Sequence, residues 1–308
     1  MKTTPSTEER VWAVLSHLSA LAFGMGILLP IVGWSEQRRK SKYAAFQCLQ
    51  ALGYQSLGYT VWLLTYLVVM LVSVGSMVAI MASTPEGASN MDVFTTIWMS
   101  VFLVMAFGSF GLYLLLPVIA AVACAFGKDF RYPIMGNRLA RYLGYDSDTE
   151  QEWLIEEHED RWVAAMGHFS VIILLWGILA PLTAWILQGK RGLFMRFQSI
   201  QTLIYQALAT LLYVAGMALY TFGFFVFMAL TGLGGGNALS SSTGMVGMGV
   251  LLISMLFAIG IVLLLPLFHI MGQWAGYRVL KGDDYRYPVV GRLVEKWLTK
   301  NQHHQQAD

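Results

Sequence analysis

Charge is what this chain has least of. Lys and Arg number 20 and Asp and Glu 18 in 308 residues, or 12%, against about 25% in a soluble domain that must keep water on its surface. So few charges exclude a soluble enzyme, a disordered chain and a disulfide-rich secreted module. Cysteine is nearly absent too. Cys48 and Cys124 sit far apart inside apolar stretches, which argues against a disulfide framework or a paired metal motif. The opening MKTTPSTEER lacks a basic n-region with a short apolar core, so the first apolar segment is expected to stay in the mature protein. No acid falls in the middle of an apolar run, so the usual relay of a proton- or sodium-coupled carrier is missing. No phosphate loop, zinc-protease helix or Ser/His/Asp arrangement occurs either, so neither enzymatic activity nor a cofactor is expected. A net charge of +2 gives no field for nucleic acid.

What the chain does have is apolar sequence, 56% of it hydrophobic. Crossing a hydrocarbon core takes about 20 apolar residues, and six segments qualify: Val11–Trp34, Tyr43–Met81, Val93–Phe126, Trp162–Leu187, Phe197–Leu230 and Met245–Gly276. Their continuity excludes an alternating outer-membrane barrel, and backbone groups in lipid must be bonded internally, so the segments read as helices. The expected fold is an all-α polytopic membrane protein in the inner, cytoplasmic membrane. Tyr43–Met81 is too long for one upright crossing. Its mixed-polarity beginning is expected at the interface or along the bundle, with Ser56–Met81 crossing.

The chain also repeats itself. Shifted by 151, Arg10, His17, Ser19, Pro30, Trp34 and Gln37 fall on Arg161, His168, Ser170, Pro181, Trp185 and Gln188. Phe46, Gln47, Gln50, Tyr54 and Gln55 then fall on Phe197, Gln198, Gln201, Tyr205 and Gln206. LLLP ending at Pro117 matches LLLP ending at Pro266, and DFRYP at Asp129 matches DYRYP at Asp284. Apolar composition cannot produce His, Gln, Arg and Pro in one register, so this is a tandem duplication. The domains are read as a first unit at 1–145, an acidic linker at 146–160, a second unit at 161–298 and a polar tail at 299–308. Each unit carries three apolar segments. The linker holds eight of the eighteen acids and reads as a solvated spacer rather than a docking patch.

Basic residues mark cytoplasmic loops. They cluster at Arg38–Lys42, at Lys190–Arg196, and after segments three and six, while the loops near 84–90 and 231–243 have none. This places both ends of segment four on one side. Either segments one and four are re-entrant, broken at Gly24–Gly26 and Gly177 or near Pro30 and Pro181, with parallel repeats and cytoplasmic termini, or all six cross and the units are inverted. Length favours inversion. The charge signal recurs at four loops and favours parallel repeats.

The polar residues in these segments are candidates for an interior: His17, Gln47, Gln50 and Tyr54, with His168, Gln198, Gln201 and Tyr205. The Gln-Gln-Tyr spacing lines one helix face. A histidine pair could ligate haem or metal, but two ligands are few, and hydrogen bonding between helices is the commoner use. Pro117 and Pro266, with Pro30 and Pro181, are expected to kink helices. Arg131 and Tyr132, with Arg286 and Tyr287, are expected to anchor each unit at headgroup depth, in contact with the bilayer and its anionic headgroups.

Each half opens with SHLSAL or GHFSVI, passes a proline-tryptophan turn, a basic loop and a glutamine-bearing helix, and closes on RYP. In this it resembles the bacterial and archaeal membrane family grouped with the twenty-kilodalton subunit of the chloroplast inner-envelope protein translocon. The ending KGDDYRYPVVGRL is especially similar. The resemblance implies a translocon-like component working with membrane-protein partners. From the residues, three readings stand: a binding or scaffold protein, a small transporter or channel for a neutral solute or lipid, and a haem- or metal-binding redox subunit.

Overall fold

The computed structural model describes residues 4–83, 91–146, 153–233 and 241–305. It is helical, with no strand among the described residues. In the first copy α1 is Thr7–Leu18, α2 Leu28–Gln37, α3 Lys42–Ser83, α4 Met91–Ala125 and α5 Met135–Leu143. In the second α6 is Glu156–Phe169, α7 Leu179–Gln188, α8 Leu193–Leu233, α9 Ser242–Leu280 and α10 Val290–Gln305. The loops at 84–90 and 234–240, read above as outward-facing, and linker residues 147–152 lie outside the described residues.

Segments one and four do not cross. Each folds into a helical hairpin through a 3-10 turn, Ser19–Ile27 or Ser170–Trp176. Although Thr7–Gln37 is long and apolar enough to span, its ends meet: Gln37 Nε2 donates to Glu8 Oε1 at 3.0 Å. The chain reverses at Phe23 (φ 52°) and Leu174 (φ 49°), which are 151 apart and both in the left-handed region. Such a backbone costs a bulky residue about 1–2 kcal/mol, so the surrounding packing must hold it. Three residues on, Gly26 and Gly177 let the turn close. A Cβ on Gly26 would lie 1.8 Å from the Ser19 carbonyl oxygen, and one on Gly177 2.1 Å from that of Ser170. The expected kinks at Pro30 and Pro181 are therefore corrected. These prolines sit in the first turns of α2 and α7, where a missing N–H breaks no helical bond. Pro117 and Pro266 do lie inside α4 and α9.

The hairpins lie side by side and parallel. At their tips Gly24 abuts Ile173 and Trp176. At their open ends Gln188 Nε2 donates to Ser35 Oγ, and Trp34 Nε1 donates to Glu159 Oε1 at 3.0 Å. This geometry agrees with the charge pattern over the length argument. Around the hairpins pack the beginnings of α3 and α8, the ends of α4 and α9, and the short α5 and α10. Together they form a body whose core includes Phe46, Leu49, Leu52, Leu139, Leu143 and Met166. The start of α3 is thus not interfacial: Leu52 is 0% exposed and lies at the centre. Beyond Leu57 the same unbroken helix leaves the body, and Val61 and Val72 are 63% and 66% exposed. From Leu57 to Ala82 it runs about 39 Å at 1.5 Å per residue, enough to cross a core about 30 Å thick. α4, α8 and α9 carry comparable apolar lengths. Two antiparallel helix pairs, α3–α4 and α8–α9, therefore form the membrane arms.

Candidate functional site: a duplicated buried clasp

In both copies the chain returns after its second long helix and threads an RYP segment back into the body. Tyr132 and Tyr287 are 3% and 1% exposed. Placing them at headgroup depth is therefore corrected, because each hydroxyl is drawn in by a buried histidine. His17 Nδ1 lies 3.0 Å from the Tyr132 hydroxyl, and His17 Nε2 lies 3.1 Å from Gln47 Oε1. A carbonyl oxygen only accepts, so Nε2 carries the proton and donates to Gln47, and Nδ1 accepts from Tyr132. Gln47 Nε2 donates to Asp129 Oδ1 at 3.1 Å and to the Phe130 carbonyl at 3.0 Å. Gln50 Nε2 donates to Gln47 Oε1 at 3.1 Å, and Gln50 Oε1 accepts from the Tyr132 backbone N–H at 2.9 Å. Tyr54 stacks on the Tyr132 ring at 4.2 Å.

The second copy repeats this bond for bond. His168 lies 3.0 Å from both the Tyr287 hydroxyl and Gln198 Oε1. Gln198 Nε2 donates to Asp284 Oδ1 at 3.2 Å, Gln201 Oε1 accepts from Tyr287 N at 3.2 Å, and Tyr205 stacks on Tyr287 at 3.9 Å. One difference is Thr202, whose hydroxyl adjoins the His168 ring at 3.0 Å where the first copy has Ala51. A second tie binds each long helix to its hairpin. Gln55 Nε2 donates to the Ser16 carbonyl at 3.1 Å and to Ser19 Oγ at 3.0 Å, and Gln206 does the same to Gly167 and Ser170 at 2.7 and 3.2 Å.

All eight residues read as a polar interior are thus brought together, four in each copy. The anchoring arginines point elsewhere. Arg131 pairs with Asp129 at 3.2 Å and Arg286 with Glu295 at 2.6 Å. Sequence reasoning missed the two tyrosines as partners of the histidines, and Asp129 and Asp284 as partners of Gln47 and Gln198. The signal was the Asp-x-Arg-Tyr-Pro string itself, matched in both halves. Asp129 also accepts from the Tyr145 hydroxyl at 3.2 Å; burial and then this carboxylate push the Tyr145 phenol above its ordinary range.

Between the copies sits an ion cluster. Arg38, 2% exposed, donates from Nε to Glu159 Oε2 at 3.1 Å. Its Nη2 lies 3.4 Å from Glu156 Oε1 and 2.8 Å from Asp160 Oδ1, the latter an ion pair without hydrogen-bond alignment. The solvated-spacer reading therefore fails at Glu159 and Asp160, while Glu156 and Glu157 stay exposed. Glu159 is 0% exposed, held where Arg38 and the Trp34 N–H compensate its loss of water. Burial raises the Glu159 and Asp160 carboxyls above their ordinary values, and Arg38 opposes this.

The histidines are enclosed and their ring nitrogens engaged, and among the described residues no three His, Cys, Asp or Glu side chains gather as a metal would need. These features define a class: a duplicated, multi-pass helical membrane protein whose buried polar residues clamp its own loops. The chain belongs to the magnetosome magnetite crystal formation protein family, whose family model matches it twice, over residues 8–139 and 159–294. No curated protein matches it, and no solved structure does.

Proposed function

We propose that this protein serves magnetosome magnetite crystal formation as a membrane scaffold: a rigid double unit that presents surfaces to other membrane proteins and carries out no catalysis itself. The family's description supplies the process. The observation that carries the scaffold reading is the duplicated clasp. His17, Gln47 and Gln50, and their counterparts His168, Gln198 and Gln201, which could have lined a path for a solute, are instead committed to holding the RYP return in place. Side chains so committed favour a rigid body over an alternating-access carrier, whose site must open. The asymmetry of Lys and Arg supports a cytoplasmic side for the basic ends of both units.

The test is isolation of the full chain from native membranes in mild detergent, with the same protein reconstituted in liposomes. The scaffold reading expects other membrane proteins to co-isolate and the liposomes to stay tight to small neutral solutes. A chain that purifies alone and conducts such solutes would overturn it in favour of a channel.

A further inference from the structure

The two copies part company in their membrane arms. In the second copy α8 and α9 close on glycines. An added Cβ would lie 3.2 Å from Ile261 at Gly216, 2.5 Å from Ser254 at Gly223 and 3.3 Å from Phe227 at Gly247. The register of the duplication puts Thr65, Val72 and Trp98 at these places in the first copy, and Phe110 and Tyr113 where the second has Ile259 and Val262. Larger side chains hold α3 and α4 apart. Between them opens a cleft of about 440 Å³ that begins at Pro133–Met135 and reaches Thr65. Past Trp62 a second cavity of about 340 Å³ continues it to Phe102 and Phe107.

The cleft is apolar but for the hydroxyls of Tyr54, Thr65 and Ser109, each bonded to a backbone carbonyl, and for two donors left without partners. Tyr113, 7% exposed, lines it, and its hydroxyl has no hydrogen-bond partner among the described residues. Trp62 Nε1, on the opposite wall, has none either. In an arm surrounded by hydrocarbon such atoms call for an acceptor brought from outside the chain. The mouth of the cleft lies beside α5, whose Arg138 and Arg141 are exposed and in no ion pair among the described residues. Exposed arginines on the helix that starts at the mouth, donors inside the cleft and an aromatic channel beyond match the order of groups along one molecule: phosphate, ester, hydrocarbon tail.

We propose that the α3–α4 cleft binds a single membrane phospholipid, one acyl chain lying in the channel and its ester carbonyl accepting hydrogen bonds from Tyr113 and Trp62. The second copy has no such site, because its arm is closed.

The experiment places the full chain in vesicles of phosphatidylethanolamine and phosphatidylglycerol carrying a trace of phosphatidylglycerol with a diazirine on one acyl chain. After irradiation, labelled peptides are mapped. Labelling is expected to concentrate on α3 and α4 over α8 and α9. Tyr113→Phe, which keeps the ring and removes the hydroxyl, should lower it roughly twofold to tenfold, the worth of one hydrogen bond. A combined variant carrying the second copy's residues, Thr65→Gly, Val72→Gly, Trp98→Gly, Phe110→Ile and Tyr113→Val, should close the cleft and erase the excess. Equal labelling of both arms overturns the proposal. So does a quinone retained in place of phospholipid, or a second copy crosslinked into the cleft.

Discussion

At the scale of single residues the clasp depends on having both ends of each hydrogen bond. Removing His17 leaves the Tyr132 hydroxyl and Gln47 Oε1 without their partner, and orphaned buried polar groups cost about 1–3 kcal/mol each. We expect His17→Ala and His168→Ala each to lower stability by about 2–5 kcal/mol, and Tyr132→Phe by about 1–2 kcal/mol, read from thermal unfolding in detergent. A neutral His17→Ala would mean the ring fills space and nothing more. Glu159 makes a different prediction. Burial raises its carboxyl above the ordinary 4.5, so the fold favours the protonated form. Its contribution is full below pH 4.5 and is lost as pH rises through the folded-state value. Glu159→Gln removes that titration, and wild type should lose stability relative to the variant as pH is raised from 4 towards 8, by about 1.4 kcal/mol per unit of pKa difference. The opposite trend would mean that Arg38 outweighs burial.

Among the elements, the hairpin turns decide whether segments one and four dip or cross. Gly26 and Gly177 have no room for a side chain, because the obstacle is a backbone carbonyl and cannot swing away. Gly26→Ala or Gly177→Ala should therefore cost more than about 4 kcal/mol or prevent folding, as substitutions that break a special backbone site do. Phe23→Gly should relieve about 1 kcal/mol of backbone strain, offset by the ring's stack on Phe110 at 5.6 Å. The sequence carried this turn only in part. The glycines stood out, but the break came at Phe23 and Leu174, ordinary apolar residues whose left-handed backbone is imposed by tertiary packing. For the same reason Pro30 and Pro181 were misread: a proline in a first helical turn looks in the sequence like a proline in mid-helix. The duplication register was the stronger guide, since it picked out the clasp residues on chemistry alone. It could not show that RYP folds back, because the chain between Gln50 and Tyr132 says nothing of where its far end returns.

For the molecule as a whole, parallel hairpins put Lys40 and Lys190 at the same end. Both are exposed, and the native Cys48 and Cys124 are buried. Lys40→Cys and Lys190→Cys should therefore be labelled by an impermeant maleimide from one and the same side of sealed vesicles. Labelling from opposite sides would return the argument to inverted units. The acidic stretch was the other whole-molecule feature hidden from the sequence. A run of like charges reads as solvated until its cation is found, and Arg38 lies 121 residues away from Glu159.

That cation has a further bearing on how many modules a chain of this kind can join. Counting across the duplication, Arg38 falls on Gly189 and Glu159 on Glu8. The leading unit offers a positive socket and the trailing unit plugs into it, but the trailing unit has no socket of its own. A heterologous contact that recurs unchanged from unit to unit grows into a filament. Here the joint is used up on first use, so this contact cannot recur from unit to unit.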